Sequence, residues 1–196
     1  MRCALRDGRA VYQFVLDVEE VNSHLCADPE SGRAILIDVG EFNDQMKHVL
    51  QSEDFKLAAI LLTHTHYDHI GGLEDAAAAL DAEIFVHHSG RGAVKGHKSK
   101  VVRDTDILSV EGFEIEVFTT EGHTQDSCCY RIGEALFTGD TLFNGSVGGT
   151  GSRDLFCQET DNIRRKIFKL PDQVVVFPGH GPPTTVGIER VCNPFF

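Results

Sequence analysis

Apolar residues along this chain come in short runs rather than long ones. "VYQFVLDV" (Val11–Val18) and "RAILIDVG" (Arg33–Gly40) are rich in β-branched residues and predict strands, with the turn-forming "ADPESGR" between them. "KLAAILLTH" (Lys56–His64) is a compact apolar run, the pattern of a buried strand. "EIFVHH" (Glu83–His88), "DILSV", "FEIEVFTT", "SCCYRI" and "QVVVFPGHGP" read the same way, and "EALFTGD" ends at Asp140. Elsewhere the spacing is helical. "FNDQMKHVLQS" (Phe42–Ser52) and the alanine-rich "GGLEDAAAALDA" (Gly71–Ala82) predict helices. "ETDNIRRKIFKL" (Glu159–Leu170) predicts another, ended by Pro171, and "TTVGIERV" a short C-terminal one. The basic stretch from Ser89 to Lys100 predicts a surface loop or short helix, and "FNGSVGGTGSRDLF" (Phe143–Phe156) a glycine-rich loop. Strands gather in each half with helices between them, which predicts an α/β or α+β protein with layered sheets. No repeat, linker or low-complexity segment divides residues 1–196, so a single domain is expected.

Composition narrows the chemistry. A formal charge of −12 argues against non-specific nucleic-acid binding and against docking on an anionic membrane. No run is long enough to cross a bilayer, and the charged start "MRCALRDGRAVYQFVLDV" contains no signal-peptide core. The six cysteines are scattered without CxxC spacing, so reduced, buried thiols and a cytoplasmic location are expected. Adjacent Cys128 and Cys129 read as structural thiols.

Histidines change the picture most. "THTHYDHIGG" packs His64, His66, Asp68 and His69 directly after an apolar run. His64 and His66 are two apart and point the same way in extended chain, whereas Asp68 and His69 follow the turn and can address a second point. One motif could thus serve two metals about 3.5–4 Å apart. His123 in "TTEGHT", Asp140 in "LFTGDT" and His180 in "VFPGHGPP" also follow strand-like runs in glycine-bearing turns, where a sheet edge can assemble a shared site. Imidazole with carboxylate suits Zn, Fe or Mn. His87 and His88 read as packing or capping residues, and His24 and His48 carry no signal.

In this order "THTHYDHIGG", "GHT", "TGDTLF" and "PGHGPPTT" resemble the metallo-β-lactamase superfamily, and within it the short glyoxalase II-like (hydroxyacylglutathione hydrolase-like) hydrolases. The resemblance runs from about Asn22 to Phe196. It implies an αββα sandwich with metals at one edge of the sheets. It assigns one metal to His64, His66 and His123, another to Asp68, His69 and His180, and makes Asp140 the bridge. Asp38 matches an aspartate that supports the ligands from behind. The implied cofactors are two divalent ions, zinc first, with iron or manganese also suited. The implied reaction is hydrolysis of a small acyl thiol by a hydroxide shared between the metals, with Asp68 and Asp140 as the carboxylates of the reactive centre.

Class B lactamases usually carry cysteine at the position of Asp140, and flavodiiron proteins carry glutamate at that of His66. Persulfide dioxygenases hold one iron through the equivalents of His64, His123 and Asp140, and form the main alternative. Two stretches depart from the family pattern: "TEGHTQDS" and the long "GSVGGTGSRDLF". The long glyoxalase II enzymes add a helical domain that helps bind glutathione, so an acyl-thiol class is implied more firmly than glutathione itself. Tyr67 and Arg153 are candidate substrate contacts, with packing and plain solvation as their respective alternatives. Lys95, His97, Lys98 and Lys100 form a basic loop whose simplest role is solvation. A non-catalytic metal module is the rival from another class, but structural zinc favours thiolates and no cysteine joins this ligand set. A nuclease fits poorly with the charge.

Overall fold

The computed structural model describes residues 1–80 and 82–196. Seven strands form one sheet in chain order: β1 (Arg2–Ala4), β2 (Ala10–Val15), β3 (Asn22–Asp28), β4 (Arg33–Ile37), β5 (Lys56–Leu61), β6 (Glu83–His87) and β7 (Ser99–Val102). Pairing is antiparallel up to β4 and parallel from β4 to β7. The second sheet contains β8 (Ile107–Val110), β9 (Phe113–Thr119), β10 (Cys128–Ile132), β11 (Ala135–Gly139), β14 (Val175–Pro178) and β15 (Thr184–Thr185), in the order β15-β14-β11-β10-β9-β8. Between β11 and β14 the chain makes a small hairpin, β12 (Leu142–Phe143) with β13 (Ser146–Val147). The helices are α1 (Asp44–Ser52), α2 (Tyr67–Ile70), α3 (Leu73–Ala79), α4 (Arg153–Lys166) and α5 (Val186–Cys192).

Strand alternation sorts the side chains into layers. In β4, Ile35 and Ile37 face the second sheet with Phe85, Phe113, Val117 and Tyr130, while Ala34 and Leu36 face α1 and α3 with Met46, Leu73 and Ala76. On the far side, Leu136 and Val176 meet Ile163 of α4, Phe168 and Val186. Three apolar layers between four structural ones make the αββα sandwich the family resemblance implied.

Several element limits differ from the sequence reading. The strand expected over Val11–Val18 stops at Val15, and β3 fills Asn22–Asp28, which no pattern marked. "NSHLCAD" is polar in sequence, yet its Asn, Ser and His are buried because β3 lies inside the sheet, and the Asn22 side chain bonds across to the other half. The glycine-rich loop yields its last four residues to α4, which starts at Arg153. Ser152 caps it, accepting from the Leu155 amide. The predicted Gly71–Ala82 helix is shorter, α3 over Leu73–Ala79, and the separate turn α2 precedes it inside the histidine motif; Asp81 lies outside the described residues.

Candidate metal centre

Five strands deliver the candidate ligands to one edge. Asp38 follows β4, the His64–His69 motif follows β5, His123 follows β9, Asp140 follows β11 and His180 follows β14. Side chains just beyond strand ends are held by the sheet while their tips are free to converge. Convergence is tight: the ligand atoms of His64, His66 and His123 lie within 4.8 Å of one another, as do those of Asp68, His69 and His180, and those of His64, His69 and Asp140. Asp140 stands between the outer groups, with Oδ1 3.3 Å from His69 Nε2 and Oδ2 3.6 Å from both His123 and His180. Asp68 Oδ2 is 3.5 Å from His69 and 3.4 Å from His180. The close approach needs glycine behind it. A side chain at Gly179 would collide with Asp140 Oδ1 and His69.

The neighbours decide which way the imidazole lone pairs point. Asp38 accepts the Thr63 amide (2.8 Å), the Thr63 hydroxyl (2.7 Å) and His69 Nδ1 (2.8 Å). Because the Thr63 hydroxyl donates to Asp38, its oxygen is left to accept from His64 Nδ1, 3.2 Å away. His123 Nδ1 donates to the Gly149 carbonyl at 2.7 Å. His64 and His123 therefore present a bare Nε2 to the interior, and His69, its Nδ1 committed to Asp38, turns its Nε2 the same way. His66 Nδ1 lies 3.1 Å from the Nε2 of both His64 and His123, and one proton there satisfies one contact and not the other. Asp38 adopts this role at φ 54°, a left-handed conformation that costs a non-glycine residue about 1–3 kcal/mol and clusters at functional sites.

Electrostatics shows what is missing. Burial pulls the His69 pKa down, but the carboxylates of Asp38 and Asp140 outweigh it and hold it up at about 10. Burial likewise pushes Asp140 up, and the surrounding histidines, His69 foremost, bring it down to about 2. Burial drives His64 well below the usual histidine range, helped by positive charge on His69. His69 Nε2 and Asp140 Oδ1 are both buried without a properly formed hydrogen bond. Converging lone pairs, two carboxylates and orphaned donor atoms are the surroundings of a divalent cation, and the donor set fits one.

Every residue assigned from the motifs reaches this edge except the two substrate candidates. Tyr67 opens α2 beside His66 with 76% of its surface exposed, its ring leaning over Gly71. Arg153 opens α4 and is exposed, and no ion pair ties it to another side chain among the described residues. A groove of about 390 Å³ adjoins His123, lined by Ser89, Glu121, Thr124, Gln125, Leu155 and Gln158. A larger hollow lies against the Arg91–Ser99 loop, but no candidate ligand lines it.

The sequence reading missed the residues behind the ligands. Thr63 and the Gly149 carbonyl orient rings. Buried Glu159 packs under Gly122, its pKa raised to about 8 by burial. Thr63 was visible inside the motif; the others come from elements distant in sequence.

Comparison with known proteins gives this geometry its family. A sequence model of the metallo-beta-lactamase superfamily matches residues 16–180. The chain belongs to the metallo-β-lactamase superfamily. As a member it is a metal-dependent hydrolase by class, and curated relatives from Streptococcus pyogenes and Bacillus subtilis carry the name probable metallo-hydrolase. A hydroxyacylglutathione hydrolase of Polaromonas sp. is 32% identical over 81% of this chain and 61% of its own length. Among solved structures of the superfamily, the BLEG-1 B3 metallo-β-lactamase superposes with a TM-score of 0.81 at 28% identity, over 94% of this chain and 98% of its own. ETHE1 from Myxococcus xanthus gives 0.80 at 29% identity, over 94% and 83%. Three superfamily proteins with different names are nearly equally similar, so finer function has to come from the site.

Proposed function

We propose that this chain is a binuclear metallohydrolase acting as a thioesterase of the hydroxyacylglutathione hydrolase type, with a small acyl thiol as substrate. The observation that carries this reading is the double group of ligands sharing Asp140, its lone pairs turned inward by Asp38, Thr63 and Gly149. His64, His66 and His123 would hold one divalent ion and Asp68, His69 and His180 the other, with zinc the best match and iron or manganese also suited. Such ions supply Lewis acidity and a water acidified to a pKa near about 7.

The protein's own part is placement. Asp140 reaches towards both groups and fixes their separation. Gly149 holds His123 at the side where the groove of Glu121 and Gln125 opens, which gives the acyl or thiol portion room to lie. The carboxylates and histidines at the centre are all taken up as ligands. Glu159 is buried under the backbone of His123. A leaving group that departs without a proton suits such a site, and a thiolate is one. All six cysteines are free, in keeping with a cytoplasmic protein. No helix among the described residues is long and apolar enough to cross a membrane.

The similarity to ETHE1 favours one second reading, a mononuclear-iron dioxygenase using His64, His123 and Asp140. Metal analysis of the purified protein separates the two. About two equivalents of zinc, iron or manganese with loss of thioester absorbance supports the hydrolase. One equivalent of iron, a second position that stays empty when metal is supplied, and oxygen uptake with glutathione persulfide would sink it.

A further inference from the structure

His180 sits in a turn that no side chain of its own segment holds. β14 ends at Pro178, and Gly181 takes φ 78° to complete the turn. The carbonyls flanking His180 are captured by one residue of the other sheet. Asn22, buried at the start of β3, donates its side-chain amide to Pro178 O (3.0 Å) and Gly181 O (2.8 Å). Its backbone amide donates to Gly179 O at 2.6 Å, and Val21 beside it forms a bridge with His180. The orientation of that amide is itself fixed, because Asn22 Oδ1 accepts from Gln13 Nε2 at 2.8 Å. Gln13 Nε2 also lies 3.4 Å from Gly181 O.

This task is chemically narrow. It needs two N–H donors on one short planar group with an acceptor on its other side, which asparagine has and aspartate lacks. None of these bonds touches His64, His66 or His123; Thr63 orients His64 and the Gly149 carbonyl orients His123.

We propose that Asn22, locked by Gln13, is the positioning residue for His180 and thereby controls occupancy of the Asp68–His69–His180 position separately from the triple-histidine position. The inference rests on the binuclear reading above. It explains the burial of polar Asn22 at the head of β3: Asn22 staples the sheets together at the point where a ligand of the second sheet must meet ligands of the first.

The test is zinc titration in chelator-buffered solution, read as zinc per chain by elemental analysis, on wild type, Asn22→Asp and Gln13→Leu. Asn22→Asp turns two donors into acceptors facing carbonyls. It should leave the tighter binding step unchanged and weaken the other by about 10–100-fold, the usual cost of losing a group that orients a ligand. Gln13→Leu keeps both Asn22 donors and should weaken the same step by less. The inference is overturned if both steps weaken together, or if neither moves, in a variant with the wild-type near-ultraviolet dichroism. Should Asn22→Asp not fold, Gln13→Leu decides alone. Wild type that never takes up a second ion would instead overturn the binuclear reading itself.

Discussion

The two ligand groups lie side by side and are built on opposite plans. The triple-histidine group offers three imidazole donors and no carboxylate of its own. Two of its rings are turned by a hydroxyl and a carbonyl, and burial keeps His64 free of a proton. The mixed group of Asp68, His69 and His180 carries a carboxylate and has Asp38 and Asp140 against its histidine, so His69 holds a proton up to a pKa of about 10. One group presents lone pairs that wait for a cation. The other is occupied by a proton that metal must displace. The difference teaches that the positions should fill in order, triple-histidine first, and that they can be disabled separately.

Asp140 is the exception, because it serves both, and its loss is the largest effect expected. Asp140→Ala should abolish binding of the second ion, weaken the first and bring hydrolysis to the uncatalysed level. Metal content and thioester turnover measured together check this. Retention of half the activity would mean that Asp140 does not join the groups.

Next in size is a crossed pair of variants. Thr63→Val removes the hydroxyl that orients His64 but leaves Asp38 bonded to His69. It should weaken the triple-histidine position by about 10–100-fold, the mirror image of the effect expected from Asn22→Asp. The same titration reads both. If Thr63→Val instead lowers both affinities equally, the groups are one cooperative unit and the contrast between them fails.

Much of this site was legible before any coordinates, and the reason is local. His64, His66, Asp68 and His69 occupy one turn, and their spacing alone separates those that point together from those that follow the bend. Asp140 and His180 were readable because each follows an apolar run that could only be a strand. What sequence did not reveal was whatever acts across the sandwich. β3 went unmarked because "NSHLCAD" is polar, and its polarity makes sense only once Asn22 is seen bonding to carbonyls of the second sheet. α4 was started too late because its first turn hides among glycines, although Ser152 with Asp154 two residues on is a cap signal. Tyr67 and Arg153 belong to a third kind: their residue types suggest substrate, but pattern does not fix where an exposed side chain reaches.

The protonated state of His69 gives the contrast a pH dependence. Metal entering the mixed group releases that proton, so below pH 10 its apparent affinity should fall by about tenfold per pH unit while the triple-histidine position responds less. Stability of the metal-free protein follows the same group. The folded pKa of about 10 lies above the ordinary 6.5, so the contribution of His69 is complete below about pH 6.5 and is lost as pH rises through 10. His24 acts in the opposite direction. Burial beside Phe137 and Phe177 lowers it to about 3, so its contribution is present above about pH 6.5 and is lost as pH falls towards 3. Urea midpoints of metal-free protein between pH 4 and 10 should therefore decline at both ends. Metal should abolish the alkaline decline and leave the acid one. An alkaline decline that persists in fully loaded protein would remove His69 as its cause.

The smallest effects concern the rim, and there the comparison passes from ligands to substrate. Tyr67 is next in sequence to two ligands, and its exposed ring cannot be explained by the core. Arg153 lies at a helix start with no partner among the described residues. Removing either should change stability by no more than about 0.5 kcal/mol, since both are exposed. Their kinetics should differ. Tyr67→Ala should raise KM for an acyl thiol by about 2–10-fold, the range that ~0.5–1.5 kcal/mol of lost aromatic contact allows, with kcat nearly unchanged because no ligand moves. Arg153→Ala should leave both constants alone unless the substrate carries a carboxylate on that side. Running the pair against one thioester with and without a carboxylate makes the distinction. A charge-dependent loss in Arg153→Ala alone would shift the substrate's path from the Tyr67 rim to the start of α4, whereas a loss confined to Tyr67→Ala would keep it beside His66.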